Sequence, residues 1–263
     1  KRYVLNEKEL KKRYKDWLET TKDIRRYEEI VNKGLEEYPD ERLRKLFKDW
    51  DDKHINFWIY GFLPELSNWG GEQLLRRKIL EFNKLKFIEI FEGLSAPEDI
   101  SFFQKEELEL MKLKLGKGDI KEHQEEYYWI RNSYGFTKVL TTNFFKKELD
   151  KISVKQAKDK IREIDDYPKK LKQKKERLIK RFNIDKEIVY IADKLAYCVW
   201  WQDLRKKYIF IANHINTLFL KEISKRKKID FKELCYYLPE EIIELIKNNK
   251  KMNAKERYNG FIE

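Results

Sequence analysis

One apolar pattern, between positions 184 and 225, constrains the fold of this chain more than any other feature. Its members step by three and four residues, at Ile188, Ile191, Ala192, Leu195, Val199, Tyr208, Ile211, Ile215, Leu218 and Ile223. This spacing places them on one face of an α-helix. About 40 residues at ~1.5 Å each give a helix of about 60 Å, and a helix of this length is typical of the spine of a bundle.

Composition indicates the same fold class. Charged residues make up 40% of the chain and hydrophobic residues 41%, whereas glycine and proline number only 9 and 5 among 263 residues. Scarce glycine and proline disfavour turn-rich β-sandwiches and barrels, and this mixture of charged and apolar residues is typical of amphipathic helices. We predict an all-α, elongated antiparallel helical bundle with one long spine helix. An N-terminal helical part covers 1–92, and a helical linker or acceptor-binding part covers 93–263, packed with the first as one domain.

Local signals predict where several helices begin and end. Apolar spacing predicts a helix over about 6–32, and Ser101 is a typical N-cap for the helix that follows it. The glycines of Asn68-Trp69-Gly70-Gly71 predict a break between two helices. Pro168 closes a polar segment that we expect to open a basic helix from 169 to about 182.

The chain is basic, because 59 lysines and arginines outnumber 47 aspartates and glutamates to give a net charge of +12. This excess indicates either a surface for nucleic acid or another anion, or simply the solvated faces of Lys-rich helices. The densest cluster lies in the segment 169–181. Its cations alternate with apolar residues such as Leu171 and Leu178, so we expect this cluster to be the exposed side of a helix.

Cysteine usage and hydropathy point to a cytoplasmic protein. Cys198 and Cys235 both lie among apolar and aromatic residues, so we expect two buried free thiols and no disulfide. The sequence holds no zinc-binding spacing and no apolar run of the roughly 18 residues that a membrane span needs. It contains neither a phosphate-binding Walker loop nor a Gly-x-Ser-x-Gly elbow. We therefore predict no catalytic residue, no metal site and no cofactor in this chain.

The segment from His123 to Arg131 is the first candidate site, with Tyr127 and Trp129 between them. His123 is either a general base, a phosphate contact or a metal ligand, or it is a hydrogen-bonded packing residue. The aromatic rings either stack on bases or belong to the core. Arg131 suits an anionic partner because a guanidinium pairs with phosphate through two parallel hydrogen bonds.

Gln202 and Arg205 form the second candidate site, on the spine helix. They interrupt its apolar face, since helical steps from Leu195 through Cys198 lead to both. A buried arginine is costly unless it is paired or binds an anion. We therefore expect Arg205 to pair with a carboxylate such as Asp203, to lie at the edge of the helix, or to contact an anionic ligand or a neighbouring domain.

Three separated segments resemble one protein family. The first two are Leu94-Ser-Ala-Pro-Glu-Asp-Ile-Ser101-Phe102-Phe103-Gln-Lys-Glu-Glu107-Leu108 and His123-x-x-x-Tyr127-x-Trp129 with Tyr134-Gly135. The third begins at Leu204-Arg205-x-x-Tyr208 and continues through Phe231-x-x-Leu234-x-Tyr236-x-Leu238-Pro239-Glu240-Glu241-Ile242 to Arg257-Tyr258-Asn-Gly260-Phe261. Together they are similar to the helical middle region of phosphoenolpyruvate-utilising enzymes, namely phosphoenolpyruvate synthase-like proteins and relatives of rifampin phosphotransferase. The match covers 90–263, whereas 1–89 agrees only in helical character and around Trp58 to Glu65.

The resemblance implies one part of a three-part phosphotransferase of the kinase or dikinase type. In that family an ATP-grasp domain makes a phosphohistidine and a swivelling domain carries it, with ATP, phosphoenolpyruvate and Mg²⁺ serving those domains. This sequence has neither an ATP-grasp signature nor a Thr-x-Gly-Gly-x-x-(Ser/Cys)-His segment. We therefore expect a piece of a longer protein or a degenerate relative. Its partners would be the ATP-grasp and phosphohistidine domains, in the same or another chain.

For the candidate residues, the resemblance implies contacts rather than catalysis. His123, Tyr127, Trp129, Arg131, Gln202 and Arg205 would contact an anionic small molecule or the phosphohistidine domain. The alternative function is a basic helical module that binds nucleic acid or another protein.

Overall fold

The computed structural model describes residues 5–134 and 137–260, and the predicted all-α class is confirmed. Helices dominate this part of the chain, which contains no strand. The helices are α1 (Glu7–Asn32), α2 (Asp40–Gly61), α3 (Leu63–Asn83), α4 (Phe87–Ser95), α5 (Phe102–Lys114), α6 (Ile120–Tyr127), α7 (Thr142–Asp150), α8 (Val154–Phe182), α9 (Lys186–Lys227), α10 (Phe231–Leu234), α11 (Pro239–Asn248) and α12 (Lys255–Asn259), with a 3₁₀ turn over Lys84–Lys86. Helix α9, with 42 residues, is the predicted spine.

The chain divides into two compact units. Within the described residues, unit 1 comprises 5–15, 61–132 and 138–207, and unit 2 comprises 16–60, 133–134, 137 and 208–260. Helix α9 therefore contributes its first part to unit 1 and the remainder to unit 2. All six candidate residues belong to unit 1.

The core of unit 1 is aliphatic and is built by α3, α4, α8 and the first part of α9. Its buried members are Leu75, Ile79, Ile90, Leu94, Leu178, Ile184, Ile188, Ile191, Ala192 and Leu195. The members on α3, on α4 and on α9 lie at helical spacing from one another, so each of these helices buries one apolar stripe. Leu178 of α8 and Ile184, in the connection before α9, complete the cluster. Burial of this kind contributes roughly 1.5–3 kcal/mol for each large side chain.

The core of unit 2 is richer in aromatic rings. The ring centroids of Tyr27 and Trp50 lie 5.3 Å apart, and those of Phe47 and Phe219 lie 5.6 Å apart. The buried indole of Trp50 donates a 2.6 Å hydrogen bond to Asn216 Oδ1, so its polar edge is satisfied inside the core.

Two sequence predictions of helix boundaries are wrong. Residues 68–71 do not break the chain, because Gly70 and Gly71 lie inside α3. The basic helix does not begin at 169, since α8 runs through Pro168. Two interior glycines cost roughly 1 kcal/mol each and an interior proline roughly 3 kcal/mol. Burial of residues on both sides, such as Leu75 in α3 and Ile164 in α8, outweighs these local costs.

Other local predictions have mixed outcomes. The Ser101 N-cap is confirmed, because its side chain accepts a hydrogen bond from the Gln104 backbone N–H in a full capping box. Both cysteines are free and Cys198 is buried, but the prediction that Cys235 is buried is wrong. Cys235 follows the four-residue helix α10, in which Leu234 takes the buried position. Within residues 5–134 and 137–260, no helix has the length and apolarity to cross a membrane.

Candidate functional site

His123 lies in a buried cluster between α5, α6 and α7. Its Nε2 lies 3.1 Å from Glu106 Oε1, and its ring centroid is 4.8 Å from those of Tyr127 and Phe145. The side chain of His123 is only 3% exposed, so a ligand in solution cannot reach the imidazole without movement of this cluster. The position fits the packing interpretation of His123, with the Glu106 carboxylate orienting the ring.

Tyr127 and Trp129 extend the same cluster. Burial and the neighbouring Glu109 carboxylate raise the pKa of Tyr127 well above its usual range, so its hydroxyl stays protonated. Trp129 is fully buried, and its ring centroid lies 5.8 Å from that of Phe102. Two segments of the resemblance therefore meet through a ring contact and through the bond between His123 and Glu106. Gly135 and Phe261, which belong to the same resemblance, lie outside the described residues.

Lys207 lies on the first part of α9 and contacts the end of this cluster. Its Nζ lies 2.6 Å from Glu126 Oε1 and 5.7 Å from the ring centroid of Trp129, so it makes both an ion pair and a cation–π contact. No local pattern predicts a role for Lys207, because nothing near it in sequence distinguishes it from the other lysines.

Arg131 is exposed, unlike its neighbours in sequence. Among the described residues its guanidinium has no hydrogen bond or ion pair, and it lines a groove of about 340 Å³ between α5 and α7. The carboxylates of Glu106, Glu107 and Glu148 line the same groove. Three carboxylates beside one guanidinium make this an unfavourable site for a free anion.

Gln202 and Arg205 are bound to α3 and to the end of α2. Asn68 donates a hydrogen bond from Nδ2 to the Gln202 side-chain oxygen. Arg205 Nη1 donates a 2.6 Å hydrogen bond to the Gly61 carbonyl, and its Nη2 forms an ion pair with Glu65. The side chain of Arg205 is 3% exposed and that of Glu65 is 48% exposed. The carboxylate that compensates the buried arginine is thus Glu65 and not Asp203.

The structure therefore separates the six candidate residues into two clusters. His123, Tyr127 and Trp129 share the packed region between α5, α6 and α7, with Arg131 at its surface. Gln202 and Arg205 belong to polar contacts of α9 with α3 and with the last residue of α2. Each cluster is held by internal partners, and their contacts with a ligand or a domain remain predictions.

A groove between α3 and the first part of α9 was not predicted from the sequence. It has a volume of about 720 Å³, and leucines and an isoleucine form half of its wall: Leu5, Leu63, Leu66, Leu74, Ile191 and Leu195. Arg77 and Lys194 are the cations of this wall, and no carboxylate lines it among the described residues. Its size lies within the usual range for small-molecule sites. We call it the α3–α9 groove.

The remaining histidines and the buried cysteine are held in their neutral forms. Burial lowers the pKa of His54 to about 4, and His54 accepts a 3.1 Å hydrogen bond from the indole of Trp58. Burial likewise lowers the pKa of His214 to about 4. Burial raises the pKa of the Cys198 thiol to about 12, which keeps it protonated and poorly nucleophilic at neutral pH.

Neither a metal site nor a relative identifies the function. In the part of the chain that the structure describes, no three histidine, cysteine or acidic side chains come together as metal ligands would. No family model, curated protein or solved structure matches the chain.

Proposed function

We propose that this chain is a non-catalytic helical module of a phosphoenolpyruvate synthase-like phosphotransferase, and that it binds an anionic ligand. The observation that carries this proposal is the α3–α9 groove, where the exposed guanidinium of Arg77 borders an apolar wall that, among the described residues, has no carboxylate. Lys194 lines the same wall and already pairs with Glu7. Water is partly excluded from such a wall, so a charge–charge contact there is stronger than at an open surface.

The contacts between the resembling segments support the family part of the proposal. Phe102 and Glu106 come from the first segment, and they contact Trp129 and His123 of the second. Such contacts are expected if the resembling residues serve to pack the two segments together. Their burial also supports a module in which the motif holds the helices together while the phosphoryl chemistry belongs to other domains.

The surroundings of Arg77 and Arg131 decide which of these two arginines is the better anion contact. Within residues 5–134 and 137–260 no carboxylate lines the α3–α9 groove beside Arg77, whereas Arg131 lies beside three glutamates. We therefore assign the anion to Arg77, and we keep Arg131 as the proposed exposed contact for a neighbouring domain.

Calorimetric titration of phosphate monoesters tests the proposal. Butyl phosphate and phenyl phosphate should each bind more tightly than butanol and phenol, because only the esters carry the charge. Arg77→Gln should weaken the binding of the esters about tenfold, as expected for one lost charge-assisted hydrogen bond. Arg76→Gln is the matched control, since Arg76 is paired with Glu72 outside the groove. Equal affinity for esters and alcohols would refute the anionic-ligand proposal.

The exposed face of α8 favours a second candidate function, the binding of nucleic acid. Between 169 and 181 seven exposed cations accompany a single exposed carboxylate, Glu176. Polyanion binding would appear as an affinity for a labelled single strand whose logarithm falls steeply and linearly with the logarithm of salt concentration. Replacing Lys172 and Lys180 by glutamate should then abolish binding to the strand and leave phosphate-ester binding unchanged. Failure of the strand to bind at low salt would eliminate this candidate.

A further inference from the structure

The α3–α9 groove is long as well as apolar. Its α3 positions include Leu63, Ser67, Gly70, Leu74 and Arg77, which step by four and three residues along one face of the helix. The stretch from residue 63 to 77 advances 14 residues, or about 21 Å at ~1.5 Å per residue. An occupant that uses the whole groove is therefore elongated and lies along α3.

Gly70 lies at the centre of this face, where it leaves the helix backbone bare. A Cβ added at Gly70 would meet no atom within 4 Å, so packing inside this chain does not require glycine there. At Gly71 an added Cβ would make an ordinary 3.5 Å contact with Leu195. Interior glycine weakens a helix relative to alanine. The missing side chain at Gly70 therefore leaves open space beside the helix backbone.

Charge distinguishes one end of the groove from the rest. Arg77 is the last of the α3 positions, and its exposed guanidinium makes no hydrogen bond or ion pair within residues 5–134 and 137–260. Lys194, on α9, is largely buried and already holds Glu7 at 3.2 Å. Arg77 is therefore the cation available to a ligand, while the wall from Leu63 to Leu74 offers only apolar contacts and small polar groups.

We infer that the α3–α9 groove binds a single-chain amphipathic anion, an alkyl phosphate or alkyl carboxylate, with its charged end at Arg77 and its chain along Gly70. The inference rests on the proposed function only in that the module binds an anion. It adds the alkyl chain and the role of Gly70 in admitting it. A glycine at the centre of the face admits a chain against the helix backbone, and a larger side chain would occupy that space.

Chain length and groove size can be varied independently in titrations of the purified protein. Dodecyl phosphate, below its micelle-forming concentration, should bind at least about a hundredfold more tightly than butyl phosphate, because each fully buried methylene contributes about fourfold. Gly70→Leu should weaken dodecyl phosphate binding at least about tenfold by filling the groove. Gly70→Ala adds only one carbon and should give a smaller loss than Gly70→Leu. Arg76→Gln, at a position outside the groove, is the control and should leave dodecyl phosphate binding unchanged.

The outcomes separate this inference from the proposed function. Equal affinity for the two esters, or an unchanged affinity in a folded Gly70→Leu protein, would overturn the groove inference while leaving the anion proposal in place. If neither ester binds to the unmodified protein, both the groove inference and the anion proposal are wrong. Binding of dodecyl phosphate and dodecanol with the same affinity would show that Arg77 does not hold the charged end, and would also reject the inference.

Discussion

Replacement of Arg205 gives the sharpest test of the contacts that hold unit 1 together. Arg205→Ala removes the 2.6 Å hydrogen bond to the Gly61 carbonyl, the ion pair with Glu65 and the packing of the buried side-chain stem. Gly61 is buried, so a carbonyl that loses its donor there costs roughly 1–3 kcal/mol. The ion pair contributes no more than about 1 kcal/mol, because Glu65 is half exposed and its charge is screened by water.

The stem adds the remaining part of the cost. Alanine keeps Cβ, so two buried methylenes (Cγ and Cδ) are lost, and at ~0.8 kcal/mol each they contribute about 1.6 kcal/mol. Arg205→Ala should therefore lower the free energy of unfolding by about 4 kcal/mol in total. Arg205→Met keeps most of the stem volume and should cost only about 2 kcal/mol. Glu65→Gln retains an oxygen that accepts the hydrogen bond and should cost about 1 kcal/mol.

Urea unfolding followed by far-ultraviolet circular dichroism measures all three variants under the same conditions. The expected order of destabilisation is Arg205→Ala, then Arg205→Met, then Glu65→Gln. A loss below about 1 kcal/mol for Arg205→Ala would refute the burial of this guanidinium in solution. An equal loss for alanine and methionine would instead refute the contribution assigned to the stem.

Two glycines, one histidine and the two cysteines give further predictions. Gly70→Ala should stabilise the protein by about 0.5–1 kcal/mol in urea unfolding, because the added Cβ meets open space. Gly93→Ala should destabilise it by about 1 kcal/mol, because the added Cβ would lie 2.6 Å from a carbon of the buried Leu178. Burial lowers the pKa of His54 to about 4, below the roughly 6.5 of an unfolded histidine, so the unfolded state takes up the proton first as the pH falls. The free energy of unfolding should therefore decrease between about pH 6.5 and about pH 4, and His54→Phe should reduce that decrease. Cys235 should react with a thiol reagent in the folded protein and Cys198 only after unfolding, as counted by mass spectrometry.

Much of the helical fold could be predicted from local sequence. The predicted helix over 6–32 corresponds to α1, and the predicted spine from 184 to 225 corresponds to α9 at Lys186–Lys227. Both predictions succeed because three- and four-residue apolar spacing is a property of the chain itself. The Ser101 cap succeeds for the same reason, since donor and acceptor lie only three residues apart.

The errors at Gly70 and Pro168 arise because tertiary burial exceeds local preference. The amounts by which glycine and proline weaken a helix depend on residue type and can be predicted from sequence. The burial that compensates for them depends on which helices pack together. The buried positions of α3 and α8 supply that compensation. Propensity alone therefore predicts a break at residues 68–71 and a helix start after Pro168, whereas packing continues each helix through these positions.

The sequence by itself determined an all-α chain, its spine helix and the residues at which an unusual polar group interrupts an apolar face. Only the tertiary structure decided what those groups contact. Arg205 and Glu65 are 140 residues apart, and no local pattern pairs one arginine with one carboxylate among many. The α3–α9 groove likewise exists only because two distant helices pack side by side. Side-chain spacing is fixed along a helix, whereas partners and cavities are fixed by the arrangement of helices in space.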